Sequence, residues 1–363
     1  MEWLRRLVGL PPGAAEGARI AAQAKDAGER MLRMAQGGDY EGALGAAESC
    51  IPLLRRLWAV HDLARAHNNA GDLSRQLGRR RKAVHHYRQA LTWWKRIGDA
   101  RGQALSLTGI GAAVLDIEPD RAHDELRRAR DLFVEAGDDA GLCETLTNLV
   151  QACCQIGRYA EACEHAEELV AVREKMGDAE KIAEALYVLG GVRFENGDLA
   201  ASVAALRRAD RAFETLGRDE KRVEVLEGLC EALAGQDLHT AAVDSLEQAL
   251  ALAASRRDGA LECRLRNHLG IAQQRAGLLD PAGASLRQAL DLVRHVPAAE
   301  RPRQQADILM NLAQWSLSKE DYAHAGDYAA RANGIFETLR DYPGSLSALR
   351  LRARAERRGS ESS

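Results

Sequence analysis

Residues 139–178 read DAGLCETLTNLVQACCQIGRYAEACEHAEELVAVREKMGD. Two runs with helical apolar spacing, Leu142–Gln155 and Tyr159–Met176, flank the turn Gly157-Arg158-Tyr159, and Gly177-Asp178 closes the unit. The next stretch, AEKIAEALYVLGGVRFENGDLAASVAALRRADRAFETLGR, ends at Gly217-Arg218 with small and large residues in matching places. A fixed period of this length predicts a stack of helical hairpins, each contacting its neighbours, and not a compact enzyme fold.

Working outward, the second helix of each hairpin carries a small residue just after its turn. The column is Ala43, Ala83, Ala122, Ala162, Ser202, Ala242, Ala282 and Ala325, at spacings of 40, 39, 40, 40, 40, 40 and 43. Four residues on lie Ala47, Tyr87, Leu126, Ala166, Leu206, Leu246, Leu286 and Ala329. Three further on lie Cys50, Ala90, Ala129, Leu169, Ala209, Ala249, Ala289 and Ala332. Offsets of four and seven share one helical face. Small residues there admit a neighbouring helix closely, and the larger ones interlock with it. First helices carry their own small residue at Gly71, Gly111, Gly190, Gly270 and Ala313.

Punctuation agrees. Gly98-Asp99, Gly137-Asp138 and Gly177-Asp178 supply a left-handed stop followed by a capping residue, and Gly38, Gly78, Gly157, Gly197 and Gly277 mark turns within hairpins. Pro119 and Pro281 fit the start of a second helix. Pro52 falls inside one and predicts a kink or early end. The longer interval with Pro297 and Pro302 reads as a seam in the array.

These columns resemble the tetratricopeptide repeat, with Gly157-Arg158-Tyr159, Ala162 and Leu169, or Gly38-Asp39-Tyr40, Ala43 and Cys50, standing at its signature positions. The period is about 40 rather than 34. That resembles the extended repeats of kinesin light chain, LGN-type adaptors and bacterial Rap-type regulators. The resemblance spans roughly Ala24 to Asp341. It departs from the pattern around Glu118-Pro119, where a residue is lost, and at Asp237 and His239, which replace the turn glycine and aromatic. Irregularity is expected at both.

The expected fold is an all-α, right-handed superhelical solenoid of about eight hairpins. Residues 1–13 form an entry segment, 14–341 the array, 342–358 a capping helix and 359–363 a disordered tail. Trp3, Leu4, Leu7 and Val8 share a face of the entry segment, which either caps the first repeat or detaches.

The resemblance implies non-enzymatic binding of a protein or peptide in a concave groove lined by first helices. In extended repeats an asparagine there grips the ligand backbone. The matching column reads Asn69, Gly109, Asn148, Val188, Gly228, His268 and Asn311, with Asn267 one place earlier. Arg65, Asn68, Asp72 and Arg75 are expected along the groove, followed by Glu144, Thr147 and Gln151. Next come Glu184, Tyr187, Phe194 and Glu195, then Glu224, Glu227 and Glu231, and finally Arg264, Asn267 and Arg275. An acidic centre bracketed by basic ends favours a ligand with a basic segment. The alternative is a peptide or signal sensor controlling an effector on a separate chain.

The net charge of −3 gives no general attraction to nucleic acid. Seven cysteines within helical segments fit a reducing cytoplasm, and no apolar run approaches the ~20 residues that span a bilayer. No phosphate loop, His-Glu-x-x-His or Cys-x-x-Cys motif points to a cofactor, metal or catalytic centre. The cluster Cys143, Cys153, Cys154 and Cys163 reads as core, with redox or metal chemistry the lesser alternative. His85-His86 reads as solvated or half-buried, Trp93-Trp94 as interhelical core, and Arg79–Lys82 as a solvated turn.

Overall fold

The computed structural model describes residues 13–256 and 258–361, so the expectations for the first twelve residues lie outside the described part. The described chain is entirely helical, without strands. It divides between Asp178 and Ala179 into two compact units of four hairpins each.

In the first unit the hairpins are α1 (Ala14–Gln36) with α2 (Tyr40–Leu57), α3 (Val60–Gln76) with α4 (Arg80–Ile97), α5 (Ala100–Val114) with α6 (Pro119–Ala136), and α7 (Asp139–Gln155) with α8 (Tyr159–Met176). The second unit pairs α9 (Ala179–Glu195) with α10 (Leu199–Thr215), α11 (Asp219–Gly235) with α12 (His239–Arg256), α13 (Gly259–Arg275) with α14 (Leu279–Leu292), and α15 (Arg301–Ser318) with α16 (Tyr322–Thr338). A last helix, α17 (Tyr342–Glu361), packs on α16. It extends through Gly359–Glu361, part of the stretch expected to be disordered.

The columns lie where the spacing places them. All eight small residues, from Ala43 to Ala325, are fully buried, and the residues four and seven positions on are buried with them. The first-helix glycines fit beneath the larger of these. A Cβ at Gly71 would lie 2.6 Å from the Tyr87 ring, and one at Gly190 2.6 Å from Leu206. Gly111 under Leu126 and Gly270 under Leu286 repeat the arrangement. Each glycine thus lets two helices of one hairpin approach across a bulky side chain, and the resulting dispersion attraction offsets its lower helix propensity.

Turns are held by left-handed glycines and aspartate caps. Gly38, Gly78, Gly98, Gly137, Gly157, Gly177, Gly197 and Gly277 all have positive φ. The carboxylates of Asp39, Asp99, Asp138, Asp198, Asp258 and Asp321 accept backbone N–H bonds at helix starts, each worth about 1 kcal/mol.

Four expectations need correction. Asp237 adopts φ 58° in place of glycine, so its turn keeps the common shape. Pro52 does not end α2, which continues to Leu57, with Trp58 taking the left-handed stop at φ 54°. The interval around Pro297 is packed, because Val293 and Val296 are buried among Cys263, Leu286, Ile308 and Leu312, and the Arg301 guanidinium donates to the Val296 carbonyl. Arg79, Arg80 and Lys82 are paired with Glu41, Asp116 and Glu48 and are not simply solvated.

Those pairs belong to a ladder between repeats. Arg130 bonds Glu168 through both Nε and Nη2, Arg218 reaches Glu180 at 3.0 Å, and Arg303 reaches Asp341. Exposed pairs of this kind contribute at most about 1 kcal/mol each. Their main effect is to favour one stacking register.

Candidate functional site

First helices present the residues expected to meet a ligand, and each unit is described by itself. In the first unit, α3, α4, α5 and α7 enclose a cleft of about 480 Å³. Asn68, Asn69 and Arg75 from α3 and Glu144 from α7 line it, together with Arg65, Asp72 and Thr108. Asn68 is held by the Ser106 hydroxyl, which donates to its Oδ1 at 2.8 Å, while the Asn69 amide faces Met31 Sδ at 3.9 Å.

Tyr87 forms the floor. Its hydroxyl donates to Asp72 Oδ1 at 2.6 Å, and burial, reinforced by the Asp72 charge, pushes the phenol far above its ordinary range. A Cβ at Gly109 would stand 2.4 Å from the Tyr87 ring. The third repeat therefore has glycine at its asparagine position because the preceding repeat fills that space. Asn148 and Gln151 lie outside this cleft, the first half-buried and the second exposed.

In the second unit, α9 carries Glu184, Tyr187, Phe194 and Glu195, α11 carries Glu224, Glu227 and Glu231, and α13 carries Arg264, Asn267 and Arg275. Tyr187 and Phe194 are half-buried. Tyr187 lies against Gly228, and burial followed by the nearby Glu224 charge raises its phenol. Glu227, Glu231 and Arg275 come together around a cleft of about 170 Å³, with Cys230, His239 and His268 beside them.

Several of these carboxylates are paired within the chain. Lys181 reaches Glu184 at 2.7 Å and Lys221 reaches Glu224 at 3.0 Å. Arg264 and His268 both reach Glu227, at 3.0 and 3.2 Å. Lysines one turn before a glutamate and an arginine one repeat later neutralise three of the five carboxylates. Among the described residues Glu195 and Glu231, both exposed, form no ion pair. Asn267 Oδ1 accepts from Asn311 Nδ2 at 2.9 Å, so two neighbouring repeats join their amides on this face.

Two histidine groups escaped the sequence reading. His85 is exposed but His86 is buried, with its Nδ1 3.3 Å from His67 Nδ1 and its Nε2 3.1 Å from Glu48. At the junction of α6, α7 and α8, His123, Cys153, Glu161 and His165 converge from three helices. His123 Nε2 lies 2.7 Å from Glu161 Oε1. That histidine and its neighbouring charges hold the Glu161 carboxyl below its usual range, against the opposing effect of partial burial. The only sequence signal for such pairings is the repeat offset itself, since position 161 follows 123 by the 38 residues that join other ladder pairs.

Tetratricopeptide-repeat family models match residues 64–93 and 141–215. None of the curated proteins compared matches the sequence. Several solved structures share the fold. The apo form of RapI is 13% identical, with a TM-score of 0.52 over 82% of this chain and 99% of its own. BtubC from P. vanneervenii is 18% identical, with a TM-score of 0.51 over 62% of this chain and 91% of its own. A signal-transduction ATPase with a tetratricopeptide-repeat sensor, from Pyrococcus horikoshii, is 14% identical, with a TM-score of 0.59 over 93% of this chain and 55% of its own. Identities this low convey fold alone. Family models over residues 64–93 and 141–215, together with the repeat columns and packing, give the chain tetratricopeptide-type repeats in a fold similar to that of RapI and BtubC.

Proposed function

We propose that the chain is a protein-interaction or regulatory scaffold whose first-helix faces bind an extended peptide segment carrying basic side chains. The observation that carries this reading is the second-unit face, where Glu195 and Glu231 are exposed without an ion pair while Tyr187 and Phe194 offer apolar area beside them. A lysine or arginine of a ligand would pair with these two carboxylates and compete with Lys181 and Lys221 for Glu184 and Glu224. Asn267, on the same unit, would hold the ligand backbone. Neutralised neighbours lower the long-range field, so charge here sets sequence preference and association rate more than affinity. Pre-ordered helices keep the entropic cost of binding on the ligand side.

The test is selection from a displayed random-peptide library, run with the wild-type chain and with the Glu195→Lys/Glu231→Lys variant. Wild type should enrich Lys- and Arg-containing peptides whose binding weakens with salt, and the variant should lose them by tenfold or more, equivalent to about 1.4 kcal/mol. Enrichment of peptides without cations, or equal binding by the variant, would overturn the reading. Stability should be almost unchanged, because exposed charges contribute little.

A further inference from the structure

We propose that His123, Cys153, Glu161 and His165 form a zinc site that staples the third repeat to the fourth. One donor atom from each residue lies within 4.8 Å of all the others. His123 comes from α6, Cys153 from α7, and Glu161 and His165 from α8, where a spacing of four puts them on one helical face. His123 and Cys153 are buried, and Glu161 and His165 are half-buried at the rim, which leaves an entry path.

The chemistry of the set is that of a borderline divalent cation. One thiolate, two imidazoles and one carboxylate suit Zn2+, whereas magnesium and calcium require an oxygen shell. The thiolate and carboxylate together balance the charge of the ion. Metal–ligand bonds of about 2.0–2.3 Å imply tetrahedral edges of roughly 3.3–3.8 Å. The donors must therefore close by about 1 Å from their widest separation, a movement available to the rim side chains of Glu161 and His165.

Two features point independently to a cation ligand. The His165 Nε2 atom is buried without a hydrogen-bond partner and lies 3.8 Å from Glu161 Oε1. An unsatisfied buried polar atom is destabilising, and coordination would relieve it. His123 turns Nε2 toward the cluster while its Nδ1 faces the Asp124 carboxylate at 3.4 Å. A carboxylate behind a ligating imidazole fixes which nitrogen meets the metal.

Binding releases the thiol proton of Cys153 and any proton shared between His123 and Glu161, and it forms four metal–ligand bonds with no redox change. Four protein donors leave no open position, so the ion is structural. Only Glu161 and His165 are closely spaced in sequence, and the full donor set exists only once three helices have stacked.

The full-length chain, stripped with a chelator, should be titrated with Co2+ and then Zn2+. Expected are one equivalent of cobalt per chain, strong visible bands of tetrahedral geometry, a near-ultraviolet thiolate-to-cobalt band, loss of all of these on adding zinc, and a higher melting temperature with zinc. Cys153→Ala should abolish the thiolate band, and His165→Gln and Glu161→Gln should each weaken binding at least about tenfold. Cys154→Ala and Cys163→Ala should leave the spectrum intact. Circular dichroism of each variant checks folding. If Cys153→Ala fails to fold, the two rim variants decide the matter. Absence of cobalt binding, a weak octahedral spectrum, or binding unchanged in His165→Gln and Glu161→Gln would overturn the site.

Discussion

Trp58, Asp237, Glu320 and Arg340 all have φ between 54° and 59°, in the region that glycine occupies at the other repeat turns. A side chain there costs roughly 1–2 kcal/mol, so each turn is imposed by the packing of the helices it joins. Glycines at such turns were legible in the sequence. Of the four substitutes only Asp237 stood in a recognised turn column, and the others show how far tertiary packing overrides local preference. Buried histidines were less legible still, because nothing in His85-His86 says which ring turns inward. His67 gives this a measurable consequence. It is 4% exposed, and burial, followed by the charges of His86, Arg55 and His85, pushes its imidazole down to about 4. The unfolded chain therefore takes up a proton near pH 6.5 that the folded chain refuses until about 4. Stability should fall as pH drops through that window, by up to about 3 kcal/mol from this group alone. Urea midpoints for wild type and His67→Gln at pH values across the window test it, and equal slopes for the two proteins would show that His67 titrates normally.

The hairpin is the element that the repeat columns specify, and complementary size is the rule that closes it. Gly71, Gly111, Gly190 and Gly270 each lie under a large residue of the following helix. At the offset of sixteen that joins three of these pairs (it is fifteen for Gly111 and Leu126), the first repeat places Met31 before Ala47 and the fourth places Val150 before Ala166, the reverse order of sizes. In these six hairpins a large residue on one helix faces a small one on the other, whereas the last hairpin pairs Ala313 with Ala329. This is why the fold could be read from small residues alone, whereas the acidic face could not. A column of glutamates is visible on α11, but its neutralisation depends on Lys221 one turn earlier and on Arg264 one helix pair later. Gly190→Val should drive a side chain into Leu206 and cost about 1–3 kcal/mol, and Leu206→Ala alone should cost about 2–5 kcal/mol. Combined, they recreate the order found in the fourth repeat. The double variant should be more stable than the sum of the single losses predicts by at least about 0.5 kcal/mol. Additive losses in thermal and denaturant unfolding would show that these positions do not share one space.

At the scale of the molecule, a stack whose repeats touch mainly their neighbours has no common core to compensate for an exposed end. Within the second unit the last hairpin is covered by α17. Ala348 packs with Phe336, Ala332 and Leu309, and Ala355 with Leu317 and Ala325, with Tyr322 and Leu351 alongside. The outer face of α17 carries arginines, including Arg350, Arg352 and Arg357, all exposed. Inward the helix presents Ala348 and Ala355, while Tyr342, Leu346 and Leu349 stay exposed beside the arginines. Removing residues 342–363 would uncover Phe336 and the buried small column of α16, an apolar strip shaped to accept another helix. The energetic loss should be local, because α9 to α14 keep their own neighbours, yet the new surface should drive self-association. Size-exclusion chromatography over a range of concentrations should show the truncated chain as concentration-dependent oligomers, while circular dichroism retains helicity in proportion to the remaining helices. The discriminating control changes Leu351 to Glu in the intact chain. That change should loosen α17 and reproduce part of the association without deleting any residue. A truncated chain that stays monomeric and melts like the full-length protein would mean that α17 covers nothing the rest of the stack needs hidden.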